Sequence, residues 1–216
     1  MNNKIIPLIV GPISTNCWIY PFGEKTAIVI DPGDEPKLII STLKEFGLSP
    51  KYILLTHGHF DHIAAIKDLA DEYPMAEIAI HSADAHYLGA DSYKSHCLSV
   101  SGAFGASSFL DMYFPAAKQG LPPAKHLLEE ADTIGPFTVI HLPGHTPGSV
   151  AFWDESEKVL FSGDTLFAGG YGRCDLPGGD ETKLLDSLKR LFAMDAGIRV
   201  FPGHGSATTI GQESGL

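Results

Sequence analysis

The stretch THGHFDH, residues 56–62, follows the apolar run YILL and sets three histidines and an aspartate within seven positions. A short apolar run bounded by polar and glycine residues reads as a buried strand, so the histidines stand at a strand end. The same device recurs three times. FTVI runs into HLPGHTPG (137–148), KVLF into SGDT (158–165) and IRVF into PGHG (198–205). Strand ends of α/β proteins are where binding groups collect, and glycine lets backbone approach a small central object closely. Four such ends can converge on one spot.

The pattern between these ends sets the fold class. KIIPLIV (4–10), CWIYPF (17–22) and TAIVID (26–31) read as strands, and Asp31-Pro32-Gly33 closes the third with turn chemistry. Leu38, Ile39, Leu43 and Phe46 recur at helical spacing over 35–46, with Gly47 as a stop. A second helix is predicted over 62–73, where Ile63, Ile66 and Leu69 share a face, Asp61 is placed to cap the N-terminus and Pro74 lies beyond the end. EIAIH (77–81), SVAFWD (149–154) and the runs already quoted add strands, with helices over 83–88 and 183–192. Strands alternating with helices in both halves favour a layered α/β or α/β/β/α architecture.

The chain has 216 residues, 44% of them hydrophobic and 19% charged, which suits one compact domain over 1–216. No linker divides it. Residues 90–125, with mixed Ser, Gly and aromatics, read either as a lid or substrate wall or as a partly helical insertion packed on the body. The opening MNNKIIPLIVGP is too short and too interrupted for a secretory or membrane segment, so a cytoplasmic location is expected. Three widely spaced cysteines without a CxxC pair argue for reduced thiols. A net charge of −11 disfavours nucleic acid and anionic membrane as partners and leaves a small-molecule substrate.

Imidazole and carboxylate suit zinc and other first-row divalent ions. His57 and His59, two apart in extended backbone, can point the same way, and Asp61 and His62 can face that region from another side. With His145, Asp164 and His204 they make seven candidate ligands. That exceeds a tetrahedral ion and suits two cations about 3.5–4 Å apart sharing a carboxylate and a water. His81, His86, His96, His126 and His141 fall outside the pattern and read as surface or packing residues.

THGHFDH, PGHT, SGDT and PGHG, in that order and with the early IDPG turn, resemble the motifs of the metallo-β-lactamase superfamily over nearly the whole chain. The resemblance implies an αββα sandwich with a dinuclear site at the sheet edges. It matches His57, His59 and His145 to one metal, Asp61, His62 and His204 to the other, and Asp164 to the bridging position. Zinc is the expected metal, with iron or manganese as alternatives. Within the superfamily, LFAGGYGRCDLPGGD (166–180) is similar to the glyoxalase II group, the hydroxyacylglutathione hydrolases, in their short bacterial form. Arg173 matches a basic residue that helps hold glutathione there, and its alternative role is an ion pair with Asp175 or Asp180. The C-terminal helical domain of full-length glyoxalase II has no counterpart in the sequence after His204.

The reaction so implied is metal-dependent hydrolysis of a glutathione-type thioester such as S-lactoylglutathione. Two cations acidify a shared water and polarise the carbonyl, Asp61 orients the attacking hydroxide, and a stable thiolate leaves without a dedicated acid. No catalytic serine or cysteine is needed, Cys174 included. Asp31 is placed either to support a ligating histidine or simply to form the turn before Pro32. Persulfide dioxygenases also resemble the sequence and would hold one iron on His57, His145 and Asp164. A lactonase or β-lactamase on the same scaffold, or a metal-binding protein without catalysis, are the other readings.

Overall fold

A computed structural model describes residues 5–101 and 107–216. Lys4 of the first predicted strand, and residues 102–106 of the 90–125 segment, lie outside the described residues. The chain forms two six-stranded sheets packed face to face, each with helices on its outer face. The first sheet takes β1 (Ile6–Val10), β2 (Thr15–Pro21), β3 (Thr26–Ile30), β4 (Ser49–Leu54), β5 (Glu77–His81) and β6 (His126–Leu128) in sequence order. Its first three strands are antiparallel neighbours, and β3 to β6 run parallel. The second sheet contains β7 (Thr133–Ile134), β8 (Phe137–His141), β9 (Val150–Asp154) and β10 (Val159–Gly163). A small hairpin of β11 (Leu166–Phe167) and β12 (Gly170–Tyr171) stands apart, and β13 (Arg199–Pro202) and β14 (Thr208–Thr209) complete the second sheet. Its order is β14-β13-β10-β9-β8-β7, with β10 and β13 parallel.

The period-two alternation of β3 explains the layering. Ile28 and Ile30 face the second sheet, whereas Ala27 and Val29 face the outer helices. Trp18, Tyr20, Phe137, Phe152 and Phe161 fill the space between the sheets with mutually tilted and edge-on rings. Full burial of each such aromatic favours folding by about 1.5–3 kcal/mol over leaving it exposed. Polar links also cross the gap: Tyr20 Oη donates to Asp154 Oδ2 (2.7 Å), and Trp18 Nε1 to the Pro202 carbonyl (3.1 Å).

Helix α1 (Pro36–Glu45) begins on a proline preset for the first turn and ends just before Gly47, whose left-handed φ of +65° suits a helix stop. The helix expected over 62–73 is instead two pieces, α2 (Phe60–Ile63) and α3 (Ile66–Glu72), and His59, not Asp61, holds the N-cap position. The break has a local cause. The Ala65 N–H bonds to the Pro32 carbonyl (3.0 Å) and not to Asp61 O, against which Gly33 is tightly packed. The expected helix over 83–88 is a 3-10 turn, Ser82–Tyr87.

Within 90–125 lie α4 (Ser92–Val100), α5 (Ser107–Tyr113) and a 3-10 turn at Pro115–Gln119. Leu110, Phe114, Ala117 and Leu121 are buried against the first sheet's outer core, while Ser99 and Val100 wall a pocket. On the other side α6 (Glu181–Phe192) buries Leu184, Leu188 and Leu191 on the second sheet, capped by Asp180, whose Oδ1 accepts from Lys183 N (3.1 Å). A last turn, α7 (Ile210–Glu213), follows β14. Among the described residues no helix is long and apolar enough to cross a membrane.

Candidate metal centre

All four polar strand ends meet at one edge of the sandwich. The loop after β4 delivers His57 and His59, and α2 delivers Asp61 and His62. The loop between β8 and β9 delivers His145, the end of β10 delivers Asp164, and the end of β13 delivers His204. Backbone bonds tie these ends together: Val150 N donates to Thr56 O (2.8 Å), Asn16 N to Gly203 O (2.7 Å) and Gly203 N to Gly163 O (2.8 Å). Gly203 is required by space. A methyl there would overlap Asp164 Oδ1 and His62 Cε1.

His57, His59 and His145 place ring nitrogens within 4.8 Å of one another, as do the donor atoms of Asp61, His62 and His204. His57, His62 and Asp164 form a third set that overlaps both. Asp164 stands between them, with Oδ1 3.4 Å from His62 Nε2 and Oδ2 3.6 Å from His145 Nε2 and 3.5 Å from His204 Nε2. Asp61 Oδ2 lies 3.3 Å from both His62 Nε2 and His204 Nε2. Every one of the seven residues singled out by sequence is thus in a single cluster.

The outward nitrogens reveal what the inward ones offer. His145 Nδ1 donates to the Arg173 carbonyl (2.6 Å), which can only accept, so Nε2 carries a bare lone pair. His62 Nδ1 donates to Asp31 Oδ2 (2.9 Å), which turns its Nε2 toward the carboxylates of Asp61 and Asp164. Thr56 Oγ1 donates to Asp31 Oδ2 (2.6 Å) and so accepts from His57 Nδ1 (3.1 Å), leaving His57 Nε2 bare. Asp31 also accepts from Thr56 N (2.7 Å), so one buried carboxylate aligns two imidazoles. Asp31 is thus more than a turn former.

Several facing atoms have no hydrogen-bond partner although buried, among them His62 Nε2 and Asp164 Oδ1. His59 Nδ1 and His145 Nε2 face each other at 2.8 Å, and His145 Nε2 and His57 Nε2 at 3.2 Å. Such bare, converging atoms in a buried place are what a cation would satisfy. The electrostatics agree. Burial holds the His57 and His59 imidazoles below the usual histidine range, His59 at about 3, with the neighbouring imidazoles adding to the effect. Burial also opposes charge on His62, but Asp61, Asp164 and Asp31 overcome it and raise that ring well above the histidine range. Burial would raise both aspartates, yet His62 and His204 together, with His145 added at Asp164, outweigh it and leave Asp61 well below the carboxylate range and Asp164 at about 2. His204 is raised, because its contacts with Asp61 and Asp164 outweigh its burial. Three carboxylates around His62 make a place that calls for positive charge, and the donor set fits divalent metal.

Some contributors carry no signal in the sequence pattern. Asp84, fully buried in the 3-10 turn after β5, accepts from Gly58 N (2.9 Å), Gly148 N (2.8 Å) and Thr146 Oγ1 (2.8 Å). It straps the loop of His57 and His59 to the loop of His145. Its only sequence cue is its place just past a strand end. Thr15 Oγ1 donates to Asp61 Oδ2 (3.0 Å) and fixes that carboxylate. Of the histidines outside the pattern, His81 and His96 are buried, and His96 Nε2 donates to the Tyr87 carbonyl (2.9 Å). Burial lowers the His96 ring to about 4.

Beside the cluster opens a cavity of about 250 Å³, with His59, Asp61, His145, Asp164 and His204 on one wall. Arg173 stands on its rim and is clamped to Asp175 through Nε and Nη2 (2.6 and 2.7 Å), which is the ion pair sequence allowed for. Its backbone carbonyl, not its guanidinium, is what touches the cluster. The Cys174 thiol beside it is pushed up by burial and by Glu181, Asp175 and Asp180, against a nucleophilic role.

A model of the metallo-beta-lactamase superfamily matches residues 10–204. Hydroxyacylglutathione hydrolase GloC of Haemophilus influenzae is 35% identical over 226 aligned positions, covering 99% of this chain and 95% of the relative. The crystal structure of TTHA1623 in a di-iron-bound form is similar with a TM-score of 0.82 and 39% identity, covering 97% of this chain and 96% of that one. The BLEG-1 B3 metallo-beta-lactamase is similar with a TM-score of 0.83 and 37% identity, covering 99% and 97%.

Proposed function

The chain belongs to the metallo-beta-lactamase superfamily, and from that membership we propose that it is a metal-dependent hydrolase of glutathione-type thioesters, S-lactoylglutathione among them. The observation that carries the hydrolase reading is the seven-residue donor cluster opening on a cavity through Asp61, Asp164 and three of its histidines. The likeness to a hydroxyacylglutathione hydrolase over the length of both chains supports the thioester.

His57, His59 and His145 would hold one cation, Asp61, His62 and His204 a second, and Asp164 would be shared. Zinc is our choice, although a similar protein is known with two irons. When bound, such cations polarise a carbonyl and make water acidic enough to attack near neutral pH. Asp61, held by Thr15 Oγ1 and lining the cavity, orients the attacking water. Water adds to the thioester carbonyl, the C–S bond breaks, and a carboxylate, a thiol and one proton result. The guanidinium of Arg173 can meet a substrate carboxylate at the rim by exchanging its partner Asp175. The free cysteines support a reducing compartment, and we place the protein in the cytoplasm.

Metal quantification on purified protein, alongside hydrolysis of S-lactoylglutathione, tests this. About two metal equivalents per chain and thioester cleavage are expected. One iron per chain with rapid oxygen uptake on glutathione persulfide would replace the hydrolase by a dioxygenase, and cleavage of lactones or β-lactams in place of the thioester would change the substrate class.

A further inference from the structure

The lining of the cavity beside the donor cluster is of two unlike kinds. One kind is the clustered metal-ligating candidates. The other is built from Ile13 before β2, Phe60 inside the histidine motif, Val100 at the end of α4, Phe167 in β11 and Leu176 after β12. Two further polar side chains border it, Ser99 and Arg173, and both are engaged. Ser99 Oγ donates to the His96 carbonyl (2.9 Å), and the Arg173 guanidinium is paired with Asp175. Outside the donor cluster, five apolar side chains therefore border the cavity against two polar ones, and the Ser99 hydroxyl hydrogen and the Nε and Nη2 edge of Arg173 are already committed.

We propose that this apolar lining receives the acyl chain of the substrate, so that alkyl acyl groups are preferred to hydroxyacyl ones. The inference rests on the hydrolase reading above and narrows it. Phe60 lies between His59 and Asp61 in sequence, so the apolar wall begins next to the groups that act on the carbonyl. An alkyl acyl group gains from burial there, whereas a hydroxyl on the acyl carbon gives up water against mostly apolar side chains. The thiol arm of a glutathione thioester is excluded from the same place for two reasons. It carries two carboxylates and an ammonium, which an apolar wall beside Asp61 and Asp164 would strand. The cavity, at about 250 Å³, is also smaller than the roughly 300–1,000 Å³ that drug-sized ligands occupy. The acyl chain goes in, and the charged arm lies out along Arg173.

Steady-state kinetics of the metal-loaded protein on S-acetyl-, S-butyryl-, S-hexanoyl- and S-lactoylglutathione provide the test. We expect kcat/KM to rise about two- to fourfold per added methylene, and S-butyryl- to exceed S-lactoylglutathione about tenfold. Calorimetric binding of the unreactive thioethers S-methyl-, S-butyl- and S-hexylglutathione should show the same climb in affinity. Leu176→Asn should flatten both series, with thermal melting confirming that the variant is folded. Rates and affinities that stay level or fall with chain length in the unaltered protein would overturn the proposal while leaving a thioesterase in place. If no thioester is cleaved, the hydrolase reading fails instead, and the thioether series still decides whether the apolar wall binds alkyl chains.

Discussion

Asp31 and His62 stand 2.9 Å apart, carboxylate oxygen to imidazole Nδ1, and the same oxygen accepts from Thr56 Oγ1 at 2.6 Å. One buried side chain thereby orients two candidate ligands on different elements, His57 in a loop through Thr56 and His62 in α2 directly.

Replacing Asp31 should therefore weaken metal binding without touching a ligand. Asn tolerates the left-handed backbone at this position (φ +51°), so Asp31→Asn keeps the turn and removes the anion. A loss of about 10–100-fold in metal affinity is expected. Competition against a chromophoric chelator measures it, and affinity equal to that of the unaltered protein would refute the aligning role.

Asp84 makes a different prediction, because it holds backbone and not ligands. In Asp84→Ala the N–H groups of Gly58 and Gly148 lose their acceptor inside the protein. Each stranded buried donor costs about 1–3 kcal/mol. A drop in melting temperature of roughly 2–4 °C per kcal/mol should follow for a chain of this size. Differential scanning calorimetry would read it, and metal content should fall together with stability.

Gly203→Ala isolates space from chemistry. The added methyl meets Asp164 Oδ1 and His62 Cε1, so donor groups must move although none is removed. Metal content below half of that in the unaltered protein is the expected result. Gly205, which has open space around its Cα, serves as the control position, since Gly205→Ala strains only the backbone (φ +76°) and crowds no donor.

The link between the sheets at Asp154 should show in acid. Burial raises this carboxyl, but its bonds from Ser156 and Tyr20 prevail and hold it below the usual carboxylate value. A depressed folded pKa gives stability that is complete above the unfolded value, about 3.9, and is lost as pH falls through the folded one. The melting-temperature gap between the unaltered protein and Asp154→Asn should be constant above about pH 5 and shrink below about pH 4. A gap that does not change with pH would mean that the bond contributes only as a neutral contact.

The strand ends were legible because ligand chemistry confines residue choice: few structural roles put histidine and aspartate beside glycine four times over. The layered fold was legible through period-two strands such as β3, whose alternate residues serve two cores. The helix over 62–73 misled because apolar spacing records which face is buried, not where a backbone N–H finds its acceptor. Ala65 finds it at Pro32, a contact that only the folded chain supplies. Asp84 escaped notice for a related reason. Its partners are backbone N–H groups and a threonine at Gly58, Thr146 and Gly148, and backbone donors leave no mark in a sequence.

The donor cluster draws His57, His59, Asp61 and His62 from the first sheet's loops and His145, Asp164 and His204 from the second's. Cations held there would act as rivets between two slabs that otherwise meet mainly through apolar side chains. Neither slab alone owns a complete set, so bound metal would oppose any parting of the slabs. Metal loading should then slow hydrogen exchange between the sheets, a readout of sandwich opening that needs no substrate.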